Sequence, residues 1–266
     1  MDSLKISTKV RESILKMTHK GNSSHVGSAL SCTDILSVLY TKIIDVEKVI
    51  KGEKDRDRFI MSKGHAGAAL YAVLSERGII DKNILMSHYQ NGSNLSGHVS
   101  HKLLNGIEIS TGSLGHGLPI SIGMAYGLKM ERHKSHVFCL MSDGELDEGS
   151  NWEAFLFGSH HKLVNLTAII DRNNLQSITT TEETLALEPL DQKIKSFGWE
   201  VLKVDGHNHK ELEHSFQISR RNKKPTVIIA NTIKGKGVSF MENSVLWHYK
   251  PPNEKELENA LKELNK

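Results

Sequence analysis

Apolar positions along the chain fall into two patterns that alternate from end to end. Short, nearly continuous apolar runs occupy Arg58–Ser62 (RFIMS), His136–Met141 (HVFCLM), Leu166–Ile170 (LTAII) and Thr226–Ala230 (TVIIA), and Glu200–Val204 (EVLKV) is a further expected strand. Runs of this length predict β-strands, and their lack of polar alternation predicts burial on both faces. Between them the spacing turns helical. Leu4, Val10, Ile14 and Met17 line one face of a helix over Leu4–Met17, and Thr33 or Asp34 is placed to cap a second that runs through Tyr40 and Ile43. Further helices are expected over Gly64–Arg77, over Asn151–His161 with Trp152, Phe155 and Leu156 on one side, and over Asp191–Phe197, Lys210–Ser219 and Glu254–Leu264. Gly21–Ser31, Ser87–Gly117 and Asn231–Pro252 read as loops.

Strands alternating with helices imply an α/β fold, a parallel β-sheet flanked by helices on both faces. Residues 1–266 are expected to form one domain with an N-terminal helix and a C-terminal helical tail from about 254. A chain of 266 residues buries enough surface to fold without disulfide or metal staples. Its 38% hydrophobic and 24% charged content is globular. No apolar run approaches the roughly 20 residues of a membrane helix, and no charged-then-apolar leader opens the chain, so no membrane role is expected. Cys32 and Cys139 cannot build a disulfide framework, which points to a reducing cytoplasm. The net charge is only +3, with bases and acids interleaved as in Lys51–Arg58 (KGEKDRDR). That distribution lacks the concentrated basic face nucleic acid requires, so no nucleic-acid partner is expected. The unusual feature is histidine, at 15 copies.

Parallel sheets bind ligands beyond the carboxyl ends of their strands. After His136–Met141 comes Ser142-Asp143-Gly144-Glu145-Leu146-Asp147-Glu148-Gly149, and after Leu166–Ile170 comes Asp171-Arg172-Asn173-Asn174-Leu175. Asp143 and Asn173 thus stand at equivalent places, and neighbouring strands would put both in one crevice. A carboxylate with a carboxamide is a hard-oxygen pair suited to Mg²⁺ or Ca²⁺, whose remaining positions a diphosphate, water or a backbone carbonyl could fill. Taken singly, either residue is an ordinary turn or cap.

Together these residues resemble a family motif. Asp143-Gly144, Glu148 five residues on, a helix opening Asn-Trp-Glu-Ala, and Asn173 thirty residues after Asp143 are similar to the thiamine diphosphate motif. His25-Val26-Gly27-Ser28, Ser62-Lys63-Gly64-His65-Ala66, Ser96-Gly97-His98, Thr111-Gly112-Ser113-Leu114-Gly115-His116-Gly117 and Lys234-Gly235-Lys236-Gly237 leading to Trp247-His248 follow in the order of a transketolase. The resemblance covers nearly the whole chain. It is that of the N-terminal, thiamine diphosphate-binding subunit of a transketolase split over two chains.

The resemblance implies thiamine diphosphate and Mg²⁺ as cofactors. Asp143, Asn173 and the carbonyl of Leu175 would hold the metal. His65, Gly144, Asn173 and His248 would contact the cofactor, beside Gly112, Ser113 and Leu114, with Glu148 at an interface near it. His25, His65, His98 and His248 would be catalytic, meeting the sugar hydroxyls. Imidazoles suit such work because they donate and accept protons near neutral pH. The implied reaction moves a two-carbon ketol unit from a ketose or its phosphate to an aldose or its phosphate. The implied partner is a C-terminal subunit carrying the pyrimidine-binding domain, in a heterotetramer of two plus two chains, because the chain ends at Lys266 without that domain.

His133, His136, His160, His161, His207, His209 and His214 read as surface or capping residues, while His88 and His101 are left open. Trp152, Phe155 and Phe157 read as core, and Cys139 as an inert apolar filler. Ser142 stands where the motif commonly has Gly, Val99 where Pro is common and His116 where Gln is common. These departures leave the sugar open. They keep a second reading in play, a related transferase acting on an unusual sugar in specialised metabolism. A third is a non-catalytic cofactor-binding module.

Overall fold

The computed structural model of the chain describes residues 2–265. Elements follow in chain order as α1 (Ser3–Gly21), α2 (Val26–Ser31), α3 (Thr33–Val38), α4 (Val46–Ile50), β1 (Arg58–Met61), α5 (Gly67–Glu76), α6 (Gly117–Met130), β2 (Val137–Ser142), α7 (Gly149–His160), β3 (Leu166–Arg172), α8 (Thr181–Thr184), α9 (Leu190–Ser196), β4 (Glu200–Asp205), α10 (His209–Ser219), β5 (Thr226–Asn231) and α11 (Glu254–Leu264). The five strands form one sheet in the order β1-β2-β3-β5-β4, every pair parallel. The expected architecture is therefore the observed one, and each expected strand lies within a residue or two of its place.

Alternation along the strands builds two cores. Phe59, Met61, Phe138, Leu140, Ile169 and Ile228 face a layer containing α1, α3, α5, α10 and α11. Ile60, Val137, Cys139, Met141, Ala168, Ile170 and Ile229 face the other way, against α6, α7 and α9. Cys139 and Cys32 are free and buried, and burial pushes the Cys32 thiol up to about 12, so both pack as small apolar groups.

Several local expectations are corrected. Val26–Ser31, read as loop, forms the buried helix α2. Thr33 and Asp34 do not cap α3. Cys32 takes that position, Thr33 Oγ1 donates to the Ala29 carbonyl at 3.0 Å, and Asp34 turns to α1. The Arg11 guanidinium donates to both Asp34 oxygens, at 3.0 and 2.6 Å. His207 and His209 reach the same carboxylate at 2.8 and 3.0 Å, so neither is a surface or cap residue. Burial opposes the Asp34 charge, but the bonds from His207, His209 and Arg11 hold its carboxyl well below the usual range. His136 is likewise buried, with Nε2 2.8 Å from Thr167 Oγ1. Phe155 is a core residue packed on Trp199 and Trp152, whereas Leu156 and Phe157 are exposed. Leu4 is also exposed, and Ile6 takes its place on the buried face of α1.

Candidate active site

The strand ends that the pattern singles out do lie side by side. Ser142 pairs with Asp171 across β2 and β3, so the chain leaves both strands toward one cleft of about 230 Å³. Asp143 sits on its floor, fully buried. Its Oδ1 accepts from the Gly144 N–H at 2.9 Å, and its Oδ2 from the Asn174 N–H at 2.6 Å and from Arg172 at 3.3 Å. Burial and the neighbouring Asp171 charge raise its carboxyl to about 6. Asn174 takes a left-handed φ of 66°, which carries the chain round the end of β3. Asn173 Oδ1 accepts from the Leu175 N–H at 3.2 Å.

Two lysines that the motif reading did not place in any role complete the floor. Lys63 Nζ is fully buried against Asp171 and donates to the Ser28 carbonyl at 3.0 Å. Burial opposes its charge, yet the Asp171 carboxylate prevails and raises its pKa. Lys234 Nζ donates to the carbonyls of Leu175 and Gln176 at 3.2 and 2.8 Å and to His248 Nδ1 at 3.1 Å. Burial, reinforced by Lys63, lowers Lys234 to about 8. Its ammonium donates to His248 Nδ1, so His248 carries its own proton on Nε2. Both lysines sit inside motif segments, Ser-Lys-Gly-His and Lys-Gly-Lys-Gly. Their signal was legible, but loop position alone did not say which way they face.

Four histidines close over this floor. The His25 ring lies 4.8 Å from His248, 5.3 Å from His65 and 5.7 Å from His98, and His65 lies 5.9 Å from His248, centroid to centroid. His25 adopts a left-handed φ of 73°, held by its N–H donating to the His248 carbonyl at 2.8 Å. A non-glycine residue there is strained, and such strain concentrates at functional sites. Burial, then the charges of neighbouring lysines and histidines, lowers His25 to about 4, His248 to about 3 and His65 well below its usual value. Gly112 has φ 151°, and a Cβ there would lie 2.8 Å from the His98 ring. Glu145, also unassigned from the sequence, accepts from the Gly115 and Ser142 N–H groups at 2.9 and 3.2 Å and from the Ser62 hydroxyl, tying three segments of the rim together.

The structure thus brings His25, His65, His98, His248, Gly112, Leu114, Gly144, Asp143, Asn173 and Leu175 to one cleft. Ser113 and Glu148 are exposed and do not line it. His88 is buried beside Ser23 and His101 is exposed beside Ser110, both off the cleft.

The donor set suits a hard cation. It offers a carboxylate, an amide oxygen and a backbone carbonyl, and an ammonium already rests on that carbonyl. The Asp143 carboxyl is raised by burial and by the Asp171 charge despite the Arg172 guanidinium beside it, so a cation in the cleft would favour its charged form.

A parallel α/β sheet with a polar, lysine-bearing cleft at its strand ends is the architecture of a diphosphate-binding domain. The family model of the transketolase thiamine diphosphate binding domain matches residues 3–265, and the chain belongs to that family. One of the subunits of the apulose-4-phosphate transketolase of Phocaeicola vulgatus is 42% identical over 260 residues, covering 97% of this chain and 92% of that relative. The 6-deoxy-6-sulfo-D-fructose transketolase subunit SqwG of a Clostridium species is 36% identical, covering 97% and 94%. The transketolase structure from Campylobacter jejuni superposes with a TM-score of 0.91 at 29% identity. It covers all of this chain, which spans only 43% of that longer one.

Proposed function

We propose that this chain is the diphosphate-binding subunit of a two-chain, Mg²⁺-dependent transketolase. The observation that carries the proposal is the convergence of four imidazoles, His25, His65, His98 and His248, over a floor of Asp143, Asn173, the Leu175 carbonyl and Lys234. The similarity to two subunits of matching length supports the split. A second chain would supply the pyrimidine-binding domain, and residues 1–266 would act as one domain. The apolar residues left exposed on neighbouring helices α6 and α7, Tyr126, Met130, Leu156 and Phe157, support a further contact between two copies, hence two plus two chains. The two buried free thiols accord with a cytoplasmic setting, and among the described residues no helix is long and apolar enough to cross a membrane.

In this account Asp143, Asn173 and Leu175 hold Mg²⁺, and Lys234, His65, Gly144 and His248 receive the diphosphate. When bound, thiamine diphosphate supplies a nucleophilic carbon and an electron sink for breaking the bond beside a ketose carbonyl. The chain's own residues orient the sugar and handle protons. His248 offers Nε2–H as a donor. Burial lowers the pKa values of His25 and His65 and so favours their neutral rings, each of which offers one nitrogen to donate to and one to accept from a sugar hydroxyl. Hydrogen bonds to the sugar hydroxyls discriminate strongly, because a buried donor left unpaired is costly.

The sugar is the finer question. Two relatives are named for apulose 4-phosphate and 6-deoxy-6-sulfo-D-fructose. Together with Ser142, Val99 and His116, these names favour an unusual donor over a common pentose phosphate. The test is calorimetric titration of thiamine diphosphate into the two-chain complex, followed by a donor panel of xylulose 5-phosphate, fructose 6-phosphate, apulose 4-phosphate and 6-deoxy-6-sulfo-D-fructose. Binding is expected only with Mg²⁺, and turnover is expected to favour one of the last two donors. No Mg²⁺-dependent binding would leave the non-catalytic module as the better reading.

A further inference from the structure

Tyr71 lies one layer beneath the cleft, on α5, where no motif reaches it. Its ring is fully buried, yet its hydroxyl is paired twice. Tyr71 Oη donates to the His98 carbonyl at 2.9 Å and accepts from the Ser100 N–H at 2.9 Å. One phenol thus spans the peptide units on both sides of Val99. The segment it grips lies inside the irregular stretch between 88 and 116, where no strand ladder or helix satisfies the backbone. Its other supports are few. The Ser96 hydroxyl also donates to the His98 carbonyl, the Val99 N–H donates to the Gly64 carbonyl at 3.1 Å, and Thr111 N–H donates to the Val99 carbonyl at 3.1 Å. Gly67, one turn before Tyr71, lets α5 approach closely, since a Cβ there would stand 3.2 Å from Val99 N and 3.3 Å from the His98 carbonyl carbon.

We propose that Tyr71 is a positioning residue, whose hydroxyl clamps the His98–Ser100 backbone and thereby aims the His98 imidazole into the cleft. This rests on the reading above, in which His98 meets the substrate. Burial alone would be served by phenylalanine. The hydroxyl costs desolvation, and its return is a fixed geometry for a loop that has few other restraints. Without it, the His98 carbonyl loses one of two donors and the Ser100 N–H loses its acceptor. The loop then relaxes, while Asp143, Asn173 and Lys234, which stand on other elements, stay in place.

The test is a double-mutant cycle on the two-chain complex with Tyr71→Phe and His98→Ala, assayed for ketol transfer with the best donor of the panel. Tyr71→Phe is expected to lower kcat/KM by about five- to tenfold and to leave thiamine diphosphate affinity unchanged. In the His98→Ala background the same change is expected to cost less than twofold. Equal losses in both backgrounds, or no loss with Tyr71→Phe, would overturn the clamp. A His98→Ala variant with full activity would overturn the role of His98 instead. If the complex shows no turnover at all, amide hydrogen exchange on the chain alone decides. The clamp predicts at least tenfold faster exchange at Ser100 in Tyr71→Phe, with α5 itself unchanged, and unchanged exchange at Ser100 would refute it.

Discussion

Asp143 accepts three hydrogen bonds and still has a carboxyl raised to about 6. Under the proposed function a cation bound there would favour its charged form. Asp143→Ala is expected to abolish Mg²⁺-dependent thiamine diphosphate binding, read by calorimetry, with an unchanged far-ultraviolet circular dichroism spectrum. Undiminished affinity would mean that the metal sits elsewhere. Gly112→Ala forces a Cβ into the His98 ring, at a φ that side chains avoid, and is expected to cut turnover at least tenfold; undiminished turnover would mean that the His98 ring has room to shift. Away from the cleft, His136 carries a separate pH signature. Burial, aided by the nearby Arg220 charge, lowers it to about 3. The folded chain then binds fewer protons than the unfolded chain between pH 3 and 6.5, so His136 makes stability fall as pH drops through that window, by at most about 1.4 kcal/mol per pH unit. Urea midpoints at pH 7 and pH 5 should differ less in His136→Gln than in the native chain. An identical pH dependence would mean that His136 is not buried in its neutral form. At this scale the motif residues were legible because each chemistry needs particular atoms at a strand end. Lys63 and Lys234 stood inside motif segments without a readable role, and Glu145 and Tyr71 gave no signal at all, because what these residues do depends on which distant group they reach.

Elements were legible where one spacing dominated. Four strands were, because nearly continuous apolar runs have few alternatives in a sheet covered on both faces; β4 was found at its place too, but it carries Glu200, Lys203 and Asp205 and is an edge strand, exposed or half-buried throughout. Helix α6 was missed. It opens Gly-Leu-Pro and carries Gly123 and Gly127, residues that depress helix propensity. Proline is tolerated in the first turn, where its missing N–H has no partner to lose. The packing of Leu118, Ile122 and Ala125 against the sheet outweighs the glycines. Helix α2 hid in a similar way, since Gly27 and Ser28 look like loop until burial of Val26, Ala29 and Leu30 is known. On α7 the pattern put Phe155 inward correctly but misplaced Leu156 and Phe157, which are exposed. Phe155 packs against Trp152, Phe197 and Trp199 with no exposed surface. Phe155→Ala is expected to cost about 3–5 kcal/mol in urea unfolding, whereas Phe157→Ala should cost under about 1 kcal/mol in the isolated chain. Comparable losses would mean that α7 is rotated relative to this structure.

At the scale of the molecule, the sheet does one thing for function. It aligns the ends of β2 and β3 so that a carboxylate, an amide and a carbonyl meet, and loops from four other places bring the histidines over them. That convergence was legible as an expectation because the motifs occur in a fixed order. The exposed face of α6 and α7 was not, because an apolar residue on a helix announces burial without saying whether its own chain or another provides it. If two copies meet there, Leu156→Glu with Met130→Glu should halve the mass of the assembled complex in sedimentation, leaving one chain of each kind. An unchanged mass would place the contact elsewhere. The central claim is that this chain contributes a diphosphate, metal and histidine half-site to a transketolase completed by another chain. The measurement that tests it most directly is ketol transfer, with Mg²⁺ and thiamine diphosphate present, by this chain alone, by a chain carrying the pyrimidine-binding domain alone, and by the two mixed. The account predicts turnover only in the mixture, abolished by Asp143→Ala. Robust turnover by this chain alone, or none in any mixture that binds cofactor, would contradict it.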